Sequence, residues 1–234
     1  MADLPEATQA TQAAVAANLA AVRRRIADAA ALAGRDAGKV TLVAISKSQT
    51  EDRVRAALEA GQRIFGENRI QEAEARWTVL RADYPDVTLH FVGHLQSNKA
   101  AEAVALCDVI ESVDRAKLAR ALAREMARQD RRPRCFVQVN SGEEPQKGGV
   151  VPGEAAALVA LCRDTLELDV MGLMCIPPAD QEPAPHFALL VKMARELGLE
   201  ALSMGMSGDY ETAVALGATH VRVGTAIFGD RLPR

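Results

Sequence analysis

The chain has 234 residues, of which 49% are hydrophobic and 25% are charged, and its formal net charge is −3. This length suits one large domain, and mixed charges with only 3% aromatic residues argue against a nucleic-acid-binding surface, which needs clustered cations and aromatic side chains. The sequence has no uninterrupted apolar stretch of about 18 residues, the length that a membrane-spanning helix needs.

The first residues, "MADLPEATQATQ", lack the basic and apolar regions of a signal peptide. The four cysteines are widely spaced, lie in apolar segments and form no CxxC pair. This pattern favours small buried thiols in a reducing compartment, so we expect a cytoplasmic protein.

In chain order, the first predicted element is a long Ala-rich amphipathic helix at roughly 8–33. Eight apolar runs of strand length follow it, separated by segments with helical periodicity. Several of these helical segments end at a glycine, as the carboxyl ends of helices prefer. The predicted strands cover residues 40–46, 63–67, 88–93, 108–113, 135–140, 168–174, 201–206 and 220–224.

Strands that alternate with helices predict βαβ units and a parallel sheet whose two faces are both covered. Eight evenly spaced units favour closure, so we predict an α/β fold with a single (β/α)₈ TIM-type barrel. We predict one domain over residues 1–234, with a helix within 1–35 that packs on the barrel. We expect this N-terminal helix to lie beside the last strand, because too few residues follow that strand to form a full helix there. An open doubly wound sheet is the alternative.

The segment "VAISKSQT" ends the first strand on Lys47. Functional groups of such barrels gather where strands end and the following loops begin. A lysine there is commonly a solvated residue at the end of a strand, but its amine can also form a Schiff base with an aldehyde.

The ends of the last two strands carry small polar residues, in "MSGDYE" and "RVGT". Ser207 and the Gly224-Thr225 pair offer the hydroxyl and backbone N–H groups that a phosphate site in these two loops requires. Alternatively, Ser207 caps a helix and Gly224 turns the chain. Arg222 alternates with two valines in its strand, so it needs either an anionic ligand or a buried salt bridge.

An amine, a phosphate site and an inward arginine together fit pyridoxal 5′-phosphate (PLP), whose pyridine nitrogen pairs with Asp or Arg in proteins. A class I aldolase would use the first two features but not obviously the third. His90 and His94 have the spacing of metal ligands on a helix, but along a strand they lie about 13 Å apart, so we expect no shared metal.

The chain resembles the YggS/PROSC family of pyridoxal phosphate homeostasis proteins. Seven segments between residues 42 and 231 carry the resemblance: "LVAISKSQT", "FGENRIQEA", "HFVGHLQSNKA", "ESVDR", "VQVNSGEEPQKGGV", "MGLMCIP" and "LSMGMSGDYETAVALGATHVRVGTAIFGDR". The family is similar in fold to the barrel domain of alanine racemase.

The resemblance implies that Lys47 carries PLP as a Schiff base and that Arg222 faces the pyridine nitrogen. It implies that Ser207, Gly224 and Thr225 hold the phosphate, and that Asn68 and Met206 complete the cofactor site. An arginine beside the pyridine disfavours its protonation and weakens the ring as an electron sink.

Alanine racemases add a C-terminal β domain that supplies a tyrosine acid/base to the partner subunit, and this chain has no room for it after Thr225. The resemblance therefore implies a non-catalytic protein of vitamin B6 homeostasis, a monomer that binds PLP and serves PLP-dependent apoenzymes. A weak PLP-dependent racemase and an aldolase that uses Lys47 without PLP are the rival hypotheses.

Overall fold

The computed structural model describes residues 6–230, with side chains from residue 9 onward. In this part of the chain, eight parallel strands form a closed barrel in sequence order, with β8 paired to β1. The strands are β1 (Thr41–Ile45), β2 (Ile64–Glu67), β3 (Thr88–Phe91), β4 (Val109–Val113), β5 (Arg134–Val139), β6 (Val170–Cys175), β7 (Ala201–Ser203) and β8 (His220–Val223). The predicted barrel is confirmed, and the open sheet is wrong.

Helices surround the barrel and alternate with its strands. They are α1 (Glu6–Leu32), α2 (Glu51–Glu59), α3 (Ile70–Asp83), α4 (Ala100–Leu106), α5 (Ala116–Gln129), α6 (Pro152–Ala160), α7 (Pro183–Glu196), α8 (Tyr210–Ala215) and α9 (Thr225–Phe228). Gly61, Gly198 and Gly217 follow α2, α7 and α8 at φ angles of 83°, 65° and 115°, a region that glycine adopts without steric cost. No described helix is both long and apolar enough to cross a bilayer.

Helix α1 contacts α2, α8 and α9, and so occupies the gap that the short α9 leaves in the outer ring. One stripe of α1 is buried there: Val15, Leu19, Val22, Ile26 and Ala30. Arg25 pairs with Glu211 of α8 at 2.6 Å, and the Asn18 amide donates to the carbonyl of Ile227 at 3.1 Å. The ends of the predicted domain, residues 1–5 and 231–234, lie outside the described residues.

The apolar residues form two layers. The larger one lies between the strands and the helices, where the fully buried Phe65 and Trp77 rings meet at 4.9 Å. The smaller one is a separate cluster of four buried side chains: Val109, Phe136, Met174 and Ala201. Alternation along the strands assigns this cluster to the barrel interior.

Strand β7 is shorter than the sequence predicts, because it ends at Ser203 rather than at residue 206. The N–H of Met204 still donates to the carbonyl of His220 at 3.1 Å. At Gly205 the chain then turns with a φ angle of 93°, and a Cβ there would lie 2.5 Å from the Cβ of Ala213. This turn ends the strand early and directs the following loop across the barrel mouth.

Candidate functional site

A cavity of about 250 Å³ lies at the carboxyl ends of the strands. It is lined by six of the seven predicted site residues: Lys47, Met206, Ser207, Arg222, Gly224 and Thr225. Gly208 and three apolar side chains, Ile45, Val92 and Ile176, complete the lining. The cavity therefore combines apolar side chains with an amine, a guanidinium and a group of hydroxyl and backbone N–H groups.

Lys47 stands two residues after the end of β1 and is half-buried. The next residue, Ser48, has a φ angle of 59°, so the chain turns sharply directly after the lysine. Ser46, just before it, is fully buried, and its N–H donates to the carbonyl of Gly66 at 3.0 Å. The lysine is thus presented at the barrel mouth by a fixed turn of the backbone.

A buried ion pair on the outer side of the barrel wall holds this turn. The Glu67 carboxylate accepts from the Ser46 hydroxyl at 2.8 Å and from the Arg76 guanidinium at 2.5 Å. Arg76 also donates to the carbonyls of Ser46 at 2.9 Å and Gln49 at 2.6 Å, which lie on either side of Lys47. Burial raises the pKa of Glu67, and the charge of Arg76 opposes that rise.

The polar end of the cavity is built by the loops after β7 and β8. The Ser207 hydroxyl accepts from the N–H groups of Gly224 at 3.2 Å and Ala226 at 3.3 Å. Ser207 therefore caps the first turn of α9, not α8 as capping alone would suggest, and joins the two loops. A Cβ at Gly224 would lie 3.3 Å from the carbonyl oxygen of Ile45, so glycine allows this loop to pack closely against the end of β1.

Arg222 is buried, and both of its terminal nitrogens are held from below the cavity. Nη1 donates to the Ser203 hydroxyl at 2.6 Å, and Nη2 donates to the carbonyl of Cys175 at 2.8 Å. The Ser203 hydroxyl in turn donates to Oε2 of Glu111 at 2.6 Å, and Oε1 of Glu111 lies 2.6 Å from Nδ1 of His90. A continuous chain of four buried polar side chains thus runs through the barrel to Arg222.

Two opposite charges meet in this hydrogen-bonded series of side chains, because Nη1 of Arg222 lies 3.9 Å from the Glu111 carboxylate. Burial by itself would raise the pKa of Glu111, but the interaction with His90, the charge of Arg222 and the Ser203 hydroxyl together lower it to about 2. Glu111 is therefore ionised near neutral pH. The buried salt bridge considered for Arg222 exists, and Arg222 still lines the cavity.

Asn68 does not join the other predicted site residues. It lines a neighbouring cavity of about 380 Å³, together with His94 and Lys99. Gly93 packs against the backbone of Asn68 so closely that a Cβ would lie 2.2 Å from its carbonyl oxygen. His90 lies inside the barrel and His94 at the surface, where its side chain is 61% exposed, so the two histidines face different surroundings.

Sequence reasoning missed Ser203 and Glu111. Glu111 lies in the apolar run "DVIESV", so it carries the same signal that drew attention to Arg222, a charge within a buried strand. A comparison of the two strands could have suggested that the two charges meet.

The pattern of the family described as "Alanine racemase, N-terminal domain" matches residues 13–232. The pyridoxal phosphate homeostasis protein of Pseudomonas aeruginosa is 40% identical over 222 residues, which cover 93% of this chain and 96% of that protein. The protein of the same name from Escherichia coli K12 is 35% identical over 232 residues, covering 93% and 97%.

Among solved structures, PipY of Synechococcus elongatus with PLP bound is 37% identical and superposes with a TM-score of 0.79, covering 92% of this chain and 100% of that one. The alanine racemase of Corynebacterium glutamicum is 19% identical with a TM-score of 0.68, covering 95% of this chain and 62% of the racemase. The second likeness concerns the fold alone.

Proposed function

The chain belongs to the family of pyridoxal phosphate homeostasis proteins, and from this membership we propose that it binds PLP through a Schiff base on Lys47. In this linkage Nζ of Lys47 attacks the aldehyde carbon, a carbon–nitrogen double bond replaces the carbon–oxygen one, and one water molecule leaves. The observation that carries the proposal is that Lys47, Arg222 and the Ser207 loop line one cavity.

The residues of the cavity fit this cofactor. PLP supplies a reactive aldehyde on a pyridine ring that withdraws electrons. The Ser207 hydroxyl, the Thr225 hydroxyl and the backbone of Gly224 would hold its phosphate, with Met206 beside them at the cavity rim. The apolar side chains of Ile45, Val92 and Ile176 suit the faces of the ring, and Arg222 would donate a hydrogen bond to the pyridine nitrogen. Asn68 stays a prediction, since it lines the neighbouring cavity.

We also propose that the protein carries PLP without turning over amino acids. General acid–base catalysis needs a second group within hydrogen-bond reach of the reacting atom. Within residues 6–230, the lining of the cavity contains no Asp, Glu, His, Cys or Tyr. Tyr210 packs under Arg25 of α1, with the guanidinium carbon 5.4 Å from the ring centre, and so lies outside the barrel wall. This arrangement supports a carrier over a racemase.

The test is the visible absorption of the purified protein with added PLP, before and after borohydride reduction. We expect a band that reduction converts into a stable adduct on Lys47, and its loss in Lys47→Ala. Lys39→Ala is the matched control, because Lys39 is exposed just before the opposite end of β1. A wild type without the band would favour the aldolase hypothesis, and a band that persists in Lys47→Ala would assign the linkage to another lysine.

The carrier role has its own test. The PLP-loaded protein, incubated with either enantiomer of alanine, should leave the enantiomer unchanged, whereas an apoenzyme that depends on PLP should gain activity when mixed with it. We propose further that the protein is a single-domain monomer, and size-exclusion chromatography with light scattering should then give a mass near 25.0 kDa. Racemised alanine would support the enzyme hypothesis instead.

A further inference from the structure

The hydrogen bonds inside the barrel have directions that follow from the charge of Glu111. An ionised carboxylate only accepts hydrogen bonds, so both neighbours of Glu111 must donate to it. His90 therefore carries a proton on Nδ1, and the Ser203 hydroxyl points its one hydrogen at Oε2. The lone pairs of Ser203 are then left to face Arg222, whose Nη1 lies 2.6 Å away.

We propose that Glu111 is a positioning residue for Arg222, and that its carboxylate sets the hydrogen-bond directions that hold the guanidinium at the floor of the cavity. This inference rests on the proposed function, because the group that Arg222 would serve is the pyridine nitrogen of PLP. Glu111 does not line the cavity, and it acts on the cofactor only through Ser203 and Arg222.

The burial of the three residues makes this arrangement demanding. Glu111 and Ser203 are fully buried, and Arg222 is 4% exposed, so water does not replace a lost partner. The guanidinium has two fixed acceptors, the Ser203 hydroxyl and the carbonyl of Cys175, and only the first depends on a side chain that can rotate. The orientation of the Ser203 hydroxyl therefore decides whether Arg222 keeps both.

A change of Glu111 to glutamine keeps the shape but gives one of the two oxygen positions to an NH₂ group. The glutamine oxygen faces His90 if His90 keeps its proton on Nδ1, and the NH₂ group then faces Ser203. The hydroxyl of Ser203 would then accept from that NH₂ group as well as from Arg222, and its own hydrogen would lose the carboxylate acceptor that fixes its direction. Arg222 also loses the only carboxylate with which it pairs in the described residues.

The experiment compares the affinities for PLP and for its 1-deaza analogue, in which a C–H group replaces the ring nitrogen. A hydrogen bond from Arg222 to the nitrogen predicts that the wild type prefers PLP by about tenfold, the size expected for a bond to a charged group. We expect Glu111→Gln to lower this preference to about threefold or less. A merely structural defect would weaken both ligands equally and leave the ratio unchanged.

Two further variants define the test. Ser203→Ala removes the hydroxyl that links Glu111 to Arg222, so it should lower the preference for PLP over the 1-deaza analogue as Glu111→Gln does. If Glu111→Gln does not fold, Ser203→Ala alone tests the proposal. Glu125→Gln makes the same substitution on α5, where Glu125 pairs with Arg128 and does not line the cavity, and it should keep the wild-type ratio.

An unchanged ratio in folded Glu111→Gln and Ser203→Ala proteins overturns the proposal. A wild type that binds both compounds equally well through Lys47 also overturns it, because Arg222 then does not serve the ring nitrogen, while the Lys47 linkage stands. A wild type that forms no linkage with PLP refutes the proposed function itself, so the two failures are distinguishable.

Discussion

Replacement of Arg76 by methionine should destabilise the protein and loosen the turn that presents Lys47. The guanidinium is held by the Glu67 carboxylate and by the carbonyls of Ser46 and Gln49. The Glu67 side chain has no solvent exposure, and that of Arg76 is only 15% exposed, so water screens the pair poorly. Methionine keeps the apolar length of the side chain and removes its charge.

The expected loss in the free energy of unfolding is about 3–5 kcal/mol near pH 8, the usual cost of leaving one member of a buried ion pair without its partner. Burial already raises the pKa of Glu67, and removal of Arg76 would raise it further. A carboxyl group with a raised pKa in the folded state stabilises that state only when it is protonated. The deficit should therefore be largest near pH 8 and smaller near pH 5.

Urea unfolding followed by the fluorescence of Trp77 measures this loss, because Trp77 is the one tryptophan of the chain and is fully buried. Arg55→Met is the matched control: Arg55 pairs with the exposed Glu51 and Asp83, so its loss should be below about 1 kcal/mol. The double variant with Glu67→Gln should recover part of the stability. A deficit below 1 kcal/mol, or one that does not change with pH, would refute the reasoning.

The other predictions concern packing, protonation and thiol access. Gly172→Ala should lower the free energy of unfolding in urea by about 3 kcal/mol or more, because its Cβ would lie 1.9 Å from the carbonyl oxygen of Ala201. Gly153→Ala is the control: it has open space around it and should change the stability by less than about 1 kcal/mol. Burial lowers the pKa of His220 to about 4, so the free energy of unfolding should fall as the pH drops from 6.5 toward 4. His220→Asn should weaken this dependence on pH, and an unchanged dependence would show that His220 does not cause it. All four thiols are buried with raised pKa values, so a thiol reagent should react only as the protein unfolds, and reaction within seconds in native buffer would be evidence against it.

The barrel was predictable because each strand is buried on both faces and is therefore a nearly continuous apolar run. Strand ends were less predictable, since they depend on single backbone torsions. The early end of β7 depends on the turn at Gly205, and a glycine that breaks a strand looks the same in sequence as a glycine inside one.

The cavity was predictable where its residues lie within two positions of the end of a strand, as Lys47 and Gly224 do. Asn68 also follows its strand, but its backbone packs against Gly93 and the residue lines a different cavity. The link from Glu111 to Ser203 crosses the barrel interior between residues 92 positions apart. Nothing in the local pattern of either strand reveals a contact between residues so far apart in sequence, because the closure of the whole barrel brings them together.

The contacts of α1 have a consequence for the synthesis of this protein. Its amphipathic stripe packs against α8 and α9, and the bond from Asn18 to Ile227 joins residues 209 positions apart. At a translation rate of about 5–20 residues per second, α1 waits on the order of 10–40 s for those partners. During that interval α1 can pack only on α2, the part of its apolar stripe that faces α8 and α9 stays uncovered, and the outer ring closes only after the last strand has been made.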